Sequence, residues 1–568
     1  MNSCTCQCLF SPQIYNIFIN YFFLLSKKHY LCSQICVFTL KMASRTIKII
    51  NRGVASLLFG VCLTSCCSAE NNGISFKPNK TIVILYENDV HCDIDGYAKL
   101  AGLRDAIAAS DTAYVGITSS GDFLNGSLAG IISTGQYIVD IMRNVGYDAI
   151  TLGNHEFDFK GPRMIELLPQ IKAPIICANF FEAGAERPFY PACTIKTYGQ
   201  KRIGYVGVDT PSSMYDEYYA FYDKDGNQLY DLRPNDVVSL VQQSVDYVRS
   251  AGADYVVLLS HLGEEVSDRG IDSHTLVNQT RGIDVVLDGH THSAIPHDMA
   301  PNLDGKEIPV TQTGTEFTYI GKLVITKDGH LSTSLILTDD ITYINHQVTA
   351  TADSIKHLME STTNVIIGNS DFELTINDSQ GNRLVRKGET NLGDLCADAF
   401  RECCNADIGL INGGGVRNNI PAGDITLGDA ISTIPFYNLT CKIEVTGNTI
   451  LNMLKTCTNN YPQEDGSFPQ VAGLKFTLHA SNHSITDVQV LNRETSQYED
   501  LQADKKYTIG ISDYYNSGGF YDTLKGAKLI EMTNTITYDA LSDYIKDTLG
   551  GDVSAYKDAQ GKITIVDN

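Results

Sequence analysis

Seven residues of metal-binding type follow strand-like segments in the first half of the chain. The motifs NDVH, GDFLNGS, GNHEFD, SHLG and DGHTHS each come directly after a short apolar, β-branched run. The potential ligands in them are Asp89, His91, Asp122, Asn154, His261, His290 and His292. Carboxylate, amide and imidazole donors suit divalent cations, and seven donors are too many for one ion. The pattern predicts two cations, roughly 3.5–4 Å apart, that share one carboxylate and assist hydrolysis of a phosphate ester.

The elements that position these residues alternate between strand and helix. The expected strands are 81–86, 113–118, 149–152, 175–178, 203–208, 255–260 and 285–287. The expected helices are 96–109, 135–145, 235–249 and 273–281. Such alternation predicts an α/β sandwich whose central strands are buried on both faces. Because ligand sites of open α/β sheets lie at the carboxyl ends of the strands, the seven residues are expected to converge there.

The five motifs, in this order over about 200 residues, resemble those of the calcineurin-like metallophosphoesterases. With the second half of the chain, they resemble the 5′-nucleotidases of the bacterial periplasmic and animal ectonucleotidase type. The resemblance covers residues 80–568. It implies an α/β fold, α+β overall: a four-layer α/β-β-α sandwich over 80–345, a linker helix over 346–368 and a separate α/β substrate-binding domain over 369–568. In the family this helix permits a large domain rotation, whereas a purely structural linker is the alternative.

The resemblance also assigns the metal ligands of the two sites. It implies that the first divalent ion is held by Asp89, His91, Asp122 and His292. It implies that the second is held by Asp122, Asn154, His261 and His290, so that Asp122 bridges the pair. Some relatives have Gln at the position of His292, so the identity of the ions (Zn, Mn, Co or Mg) stays open.

Two residues of GNHEFD are expected to act without binding metal. By resemblance, His155 stabilises charge on the transferred phosphoryl group, and Asp158 orients its ring. A carboxylate beside a histidine fixes the tautomer and raises the basicity of the ring. The alternative role for Asp158 is the N-cap of a helix that follows the loop. In this scheme a metal-activated water attacks phosphorus, and neither Ser127 nor Ser260 is needed as a nucleophile.

The second half of the chain carries a candidate binding site for a nucleotide. Glycine-rich turns bring backbone N–H groups near an anion, and two arginines can clamp a phosphate. The resemblance implies that Arg386 and Arg417 contact the phosphate and that Asn412 contacts the base or ribose. It implies that Phe436 and Tyr514 stack on the base. The substrate-binding candidates are Arg386, Asn412, Gly415, Arg417, Phe436 and Tyr514. Core packing of Phe436 and Tyr514 is the alternative interpretation.

One position departs from the family pattern. The family usually reads GGDG after the second aromatic residue, and the aspartate holds the ribose hydroxyls. This chain reads Gly518-Gly519-Phe520-Tyr521-Asp522, and Phe520 cannot accept that hydrogen bond. Either Asp522 takes the role, or the substrate is non-ribosyl or bulkier.

The N-terminal region predicts export. From Met42 the sequence has a basic stretch, an apolar run of about ten residues and then Leu63-Thr64-Ser65-Cys66, which resembles a bacterial lipobox. We interpret 42–65 as a signal peptide, Cys66 as lipid-anchored to a bacterial membrane, in the periplasm or at the cell surface, and 66–79 as a tether. The alternatives are a cleaved signal without lipid and a membrane anchor, for which the run is short. Residues 1–41 are interpreted as doubtful upstream sequence, or else a weak anchor.

Charge and cysteine content limit the classes of partner and site. The 568-residue chain has a net charge of −23, and from residue 66 onward 37 basic residues face 66 acidic ones, a charge of −29. An acidic surface disfavours a nucleic-acid polymer as the partner.

Eight cysteines follow Cys67 without a CxxC pair, which argues against structural zinc and leaves disulfides or buried thiols open.

Three functions remain compatible with the sequence. The first is a secreted, metal-dependent 5′-nucleotidase. The second uses the same site to cleave a nucleotide-sugar or dinucleotide pyrophosphate, or a 2′,3′-cyclic nucleotide. The third is a catalytically silent surface protein that binds nucleosides, and the presence of all seven ligand-type residues argues against it.

Overall fold

The structure is a computed structural model that describes residues 79–223, 225–264, 270–516 and 519–567. The segments 1–41 and 42–65 and the lipobox cysteine lie outside the described residues. None of the helices in the described ranges has both the length and the apolarity needed to cross a membrane.

The described part of the chain before the long helix at His346 begins with alternating strands and helices and ends with a run of strands. Its strands are β1 (Thr81–Glu87), β2 (Ala113–Ser119), β3 (Ala149–Ile150), β4 (Phe181–Glu182), β5 (Cys193–Tyr198), β6 (Lys201–Asp209), β7 (Tyr230–Asp231), β8 (Tyr255–His261), β9 (Val285–Leu287), β10 (Ala294–Pro301), β11 (Glu307–Thr313), β12 (Tyr319–Ile325) and β13 (Leu331–Leu337). Its helices are α1 (Gly96–Ala109), α2 (Leu128–Ser133), α3 (Gln136–Val145), α4 (Lys160–Leu167), α5 (Ser213–Asp216), α6 (Tyr218–Phe221), α7 (Val237–Ser250) and α8 (Ser273–Asn278).

Two sheets form the middle layers of this domain. One has the order β13-β12-β1-β2-β3 and the other β10-β11-β9-β8-β6-β5. Strands β1, β2 and β3 run parallel, as do β6, β8 and β9. Their carboxyl ends therefore meet along one edge of each sheet.

Successive side chains of β1 pack alternately against two different layers of the domain. Ile82 and Ile84 join a core cluster that also contains Val257 and Leu287 of the other sheet. The intervening Val83 packs with residues of α1 and α3. Side chains of a strand point alternately to its two faces, so β1 contacts a sheet on one side and helices on the other. A matching cluster lies between α7 and the second sheet. The expected four-layer α/β-β-α sandwich is confirmed.

The second domain follows a single long helix, α9 (His346–Thr363). Its strands are β14 (Ile366–Ser370), β15 (Ile408–Asn412), β16 (Gly423–Thr426), β17 (Leu439–Thr446), β18 (Pro469–Ala472), β19 (Leu474–His479), β20 (Ser484–Asn492), β21 (Gln497–Asp500), β22 (Lys506–Ser512), β23 (Lys528–Ile536) and β24 (Ile563–Val566). Its helices are α10 (Asn391–Cys403), α11 (Leu427–Thr433), α12 (Gly447–Thr458) and α13 (Thr537–Asp543). The larger sheets have the orders β18-β15-β22-β17-β23 and β21-β20-β19-β24.

Several boundaries differ from the sequence-based expectation. The helix expected over 346–368 ends at Thr363, because the β-branched run from Val365 forms strand β14, which pairs with β16. The strand expected over 175–178 is reduced to one bridge from Ile150 to Ile175. The helix expected over 273–281 ends at Asn278. Among the described residues every cysteine is free, and most are buried.

A buried lysine fastens the last strand of the second domain. Lys562 lies 3.2 Å from Asp394 and 2.8 Å from Asp398, both on α10, and is almost fully buried. Removing one partner of a buried pair leaves an uncompensated charge, so Lys562→Met should lower the free energy of unfolding by about 3–5 kcal/mol. Urea denaturation measures this free energy of unfolding. The control Lys201→Met, from the more exposed Lys201–Asp254 pair, should change stability by less than about 1 kcal/mol.

Candidate active site

Loops at the carboxyl ends of five strands carry the predicted ligands. Asp89 and His91 follow β1, Asp122 follows β2, and Asn154 opens a short 3-10 turn after β3. His261 is the last residue of β8, while His290 and His292 follow β9. The parallel strands thus bring together side chains that are up to 203 residues apart in sequence.

Four of these side chains form one compact group. The ligand atoms of Asp89, His91, Asp122 and His292 all lie within 4.8 Å of one another. The Nε2 atoms of His91 and His292 are 2.9 Å apart, and that of His292 is 3.6 Å from Asp89 Oδ1. Such spacing is compatible with a single cation held by two carboxylates and two imidazoles.

Of the remaining three side chains, His261 lies beside Asp122, and the other two contact each other. His261 Nε2 is 3.0 Å from Asp122 Oδ2, and His290 Nδ1 is 3.0 Å from Asn154 Oδ1. The backbone N–H of His155 donates to Asp122 Oδ1 over 2.8 Å. Asp122 is therefore the carboxylate that both groups of side chains approach.

Backbone carbonyls fix the orientation of two of the imidazoles. His91 Nδ1 donates to the Asn125 carbonyl over 3.0 Å, and His261 Nδ1 donates to the Ser120 carbonyl over 2.7 Å. In both rings Nε2 is the nitrogen that faces the carboxylates. Histidines that bind metals usually donate their other N–H in this way. The tautomers therefore fit a metal site.

The electrostatics of the cluster also fit bound cations. Asp89 and Asp122 are both buried. Burial, with a further contribution from the Asp122 charge, raises the pKa of Asp89 to about 7 even though His261 lowers it. Two divalent cations held by oxygen and nitrogen ligands would offset the cost of burying these two carboxylates together.

The ligand loops carry backbone strain. Asp89, His91, Asp122, His290 and His292 have φ angles of 51°, 44°, 60°, 82° and 57°. The left-handed region is unfavourable for residues with a side chain, and strained backbone of this kind concentrates at functional sites. Five of the seven predicted ligands share the feature, which sequence patterns do not reveal.

Glu156 holds two of these loops together, a role that the sequence reasoning missed. Its buried carboxylate accepts N–H groups of Asp122 and Gly153 at Oε2, over 2.8 and 2.6 Å. It accepts those of Phe123 and Leu124 at Oε1, over 2.9 and 3.1 Å. The signal in the sequence was a glutamate at the third position of a helical turn, as in a capping box.

His155 and Asp158 form a hydrogen-bonded pair next to the ligand group. His155 Nδ1 lies 2.8 Å from Asp158 Oδ2, which also accepts from Asn125 Nδ2 over 2.5 Å. Burial alone would lower the pKa of His155, but the charges of Asp158 and Asp122 outweigh it and raise the pKa well above the usual value. Asp158 does not act as a helix N-cap, since α4 begins without a side-chain cap.

A cleft of about 490 Å³ runs from His155 to the second domain. The first domain contributes Asn154, His155 and Asp158 to its lining. All six substrate-binding candidates line the other side: Arg386, Asn412, Gly415, Arg417, Phe436 and Tyr514. A larger depression, of about 590 Å³, lies between β10, β11 and β13 and contains none of the predicted site residues.

The substrate-binding candidates on the second-domain side of the cleft differ in their contacts and exposure. The Arg417 guanidinium lies 5.3 Å from the centre of the Phe436 ring, and Arg386 Nε is buried without a hydrogen-bond partner in the described residues. Asn412 Nδ2 donates to the Gly466 carbonyl over 2.9 Å, so that its amide N–H is engaged within the domain. Tyr514 is 38% exposed. Asp522 is exposed, and the side chain of Phe520 lies outside the described part of the chain.

Comparison with known proteins identifies both domains. Residues 82–294 match the family model of the calcineurin-like phosphoesterases, and residues 366–525 match that of the 5′-nucleotidase C-terminal domain. The chain is 26% identical over 510 residues to a 5′-nucleotidase of Vibrio parahaemolyticus, covering 80% of this chain and 85% of the relative.

Two further comparisons concern a longer relative and a solved structure. The chain is 26% identical over 518 residues, 83% of its length, to the trifunctional nucleotide phosphoesterase protein YfkN of Bacillus subtilis, but spans only 34% of that protein. The crystal structure of a 5′-nucleotidase precursor from Thermus thermophilus matches with a TM-score of 0.58 at 22% identity, covering 86% of this chain and all of that one. The chain belongs to the family in which a calcineurin-like phosphoesterase domain precedes a 5′-nucleotidase C-terminal domain.

Proposed function

We propose that the protein is a metal-dependent 5′-nucleotidase that hydrolyses a nucleoside monophosphate to nucleoside and phosphate. The observation that carries the proposal is the cleft, which has the His155–Asp158 pair and Asn154 on one side and two arginines and two aromatic side chains on the other. A nucleoside monophosphate has an anionic end and a flat aromatic end, and the two sides of the cleft match these in chemistry.

The anionic end is assigned to the ligand cluster. Asp89, His91, Asp122 and His292 would hold one divalent ion, and Asp122, Asn154, His261 and His290 the second. When bound, these ions lower the pKa of water and neutralise phosphate charge. Glu156 contributes by holding the loops of Asp122 and Asn154 at a fixed separation.

His155 is assigned to the phosphoryl group itself. With Nδ1 facing Asp158, the ring presents Nε2 as a donor to a phosphoryl oxygen. A preorganised donor directed at developing negative charge stabilises a transition state more than a ground state. Asp158 maintains the orientation of the ring, and Asn125 in turn orients Asp158.

The second domain is assigned to substrate recognition. Arg386 and Arg417 contact the phosphate, Gly415 permits close approach of the backbone, and Phe436 and Tyr514 stack on the base. Asn412 contacts the base or ribose, and the hydrogen bond from its Nδ2 to the Gly466 carbonyl orients the amide. Base stacking on an aromatic side chain contributes about 1–3 kcal/mol per ring.

Export completes the proposal. The basic and apolar segment over 42–65 directs the chain out of the cytoplasm, and Cys66 carries the lipid that anchors it. A net charge of −29 beyond residue 65 is compatible with an anionic substrate, because the cations and the arginines supply local positive charge.

The test is a phosphate-release panel. The chelated protein is supplied with Mn, Zn, Co or Mg and offered AMP, other nucleoside monophosphates, ADP, NAD, UDP-glucose and 2′,3′-cyclic AMP. Preference for monophosphates supports the proposal. A preference for the pyrophosphates or the cyclic nucleotide supports the second candidate, which the Gly518-Gly519-Phe520 sequence favours. Absence of turnover with every metal would contradict both.

Substitution of Tyr514 separates base recognition from phosphate chemistry. Tyr514→Ala should raise KM for AMP about tenfold through lost stacking, yet change kcat/KM for 4-nitrophenyl phosphate less than about twofold. Steady-state kinetics on both substrates measure this, with the exposed Tyr247→Ala as a matched control. Equal losses on both substrates would contradict the stacking role.

A further inference from the structure

An ion pair joins the two domains beside the cleft. Lys160 Nζ, at the start of α4, lies 3.2 Å from Asp513 Oδ2, at the end of β22. Lys160 comes two residues after Asp158, and Asp513 immediately precedes Tyr514. Each end of the ion pair is therefore within two residues of a residue that lines the cleft.

The carboxylate of this pair is fixed within the second domain. Asp513 is 2% exposed, and its Oδ1 accepts from the Leu439 N–H and from Asn438 Nδ2, each over 3.2 Å. The lysine side chain is 24% exposed. A buried carboxylate is unfavourable without a cation, so Asp513 attracts Lys160 from the opposite domain. The pair is therefore strong only while the domains are together.

Neutral contacts between the domains surround the ion pair. The Phe159 and Tyr437 rings pack edge to face with centres 4.6 Å apart, and the Tyr219 and Tyr515 hydroxyls are 3.4 Å apart. These aromatic groups exclude water and strengthen the interaction of Lys160 with Asp513. Glu217 and Asp158 also interact electrostatically with Lys160, but both belong to the first domain, so Asp513 is its charged partner from the second domain.

We infer that Lys160 and Asp513 are positioning residues that hold the two domains closed and so set the distance between His155 and Tyr514. The role rests on the proposed function, because a nucleotide must reach both residues at once. A small aryl phosphate has no base for Phe436 and Tyr514 to stack on, so it depends less on the distance between the domains. Losing the pair should therefore impair nucleotides selectively.

The first test does not depend on activity. The chain contains no tryptophan, so Tyr437→Trp introduces a single tryptophan at the interface, which can be excited selectively. In that background Lys160→Met should shift the emission to longer wavelength and increase quenching by acrylamide, because the domains separate and water reaches the indole. Lys201→Met removes a lysine–aspartate pair within the first domain and should leave both properties unchanged.

The second test uses the native Tyr437. Lys160→Met and Asp513→Asn should each lower kcat/KM for AMP about tenfold, and the double variant should cost no more than either single one, because one interaction is lost in all three. kcat/KM for 4-nitrophenyl phosphate should fall clearly less than kcat/KM for AMP, because only AMP loses base stacking as well. Lys160→Arg, which retains the charge, should restore most of the AMP activity.

The outcomes separate this inference from the proposed function. Unchanged fluorescence in Lys160→Met, or equal losses on both substrates, would overturn the positioning role even if AMP is hydrolysed. If the chain hydrolyses no nucleotide, the fluorescence experiment still decides whether the ion pair closes the domains.

Discussion

Replacing Asp122 with alanine is expected to abolish phosphate release and to lower the metal content of the protein. Its carboxylate lies 3.0 Å from His261 and belongs to the group formed with Asp89, His91 and His292, so its loss affects both cation positions. Removing an outer-shell partner of a metal ligand already costs about 10–100-fold, and a shared ligand should cost more. Phosphate assays and elemental analysis of the purified protein measure the two effects.

Two comparisons make the Asp122 result specific. Asp122→Asn retains one oxygen ligand and the size of the side chain, so it should keep more metal than the alanine variant. Thermal unfolding of the chelated forms should show that each variant remains folded. Wild-type activity in Asp122→Ala would show that Asp122 is not a ligand shared by two cations.

His155→Ala should lower kcat by about 100–1,000-fold while the metal content stays at the wild-type level. The ring is held by Asp158, and its proposed partner is the phosphoryl group rather than a cation. Single-turnover kinetics give the chemical step, and elemental analysis gives the occupancy. Loss of metal in this variant would reassign His155 as a ligand.

Asp158→Asn provides the matched test of orientation. An amide at this position retains a polar contact to His155 but removes the negative charge that favours one tautomer. The kcat of this variant should fall by less than that of His155→Ala, and the double variant should resemble His155→Ala alone. Additive losses in the double variant would show that the two residues act independently.

The fold was predictable where periodicity and burial coincide. Strand β1, a continuous apolar run, and helix α1 have the expected positions almost to the residue. Prediction failed where tertiary contacts decide the structure. The segment from Ile366 is apolar enough to continue α9, yet pairing with β16 draws it into a strand.

The candidate site was predictable as a set of residues and not as a geometry. Strand ends and residue types placed His261 and Asp122 in one site, although they are far apart in sequence. The left-handed backbone of the ligand loops depends on tertiary structure, and so does the partner of each imidazole N–H. Glu156 was missed because three of its four N–H partners lie on the separate loop of Asp122, which a local capping-box pattern does not reveal.

The way in which Glu156 holds the loops has a consequence for metal exchange. Its four N–H contacts come from the chain itself, so the strained loops keep their shape before any ion binds. A preformed site needs no folding step to accept an ion, unlike small domains that fold only around zinc. Exchange of one divalent ion for another should then require no refolding of the loops. The ion that the enzyme carries would follow the supply in its surroundings, and its catalytic rate would change with that supply.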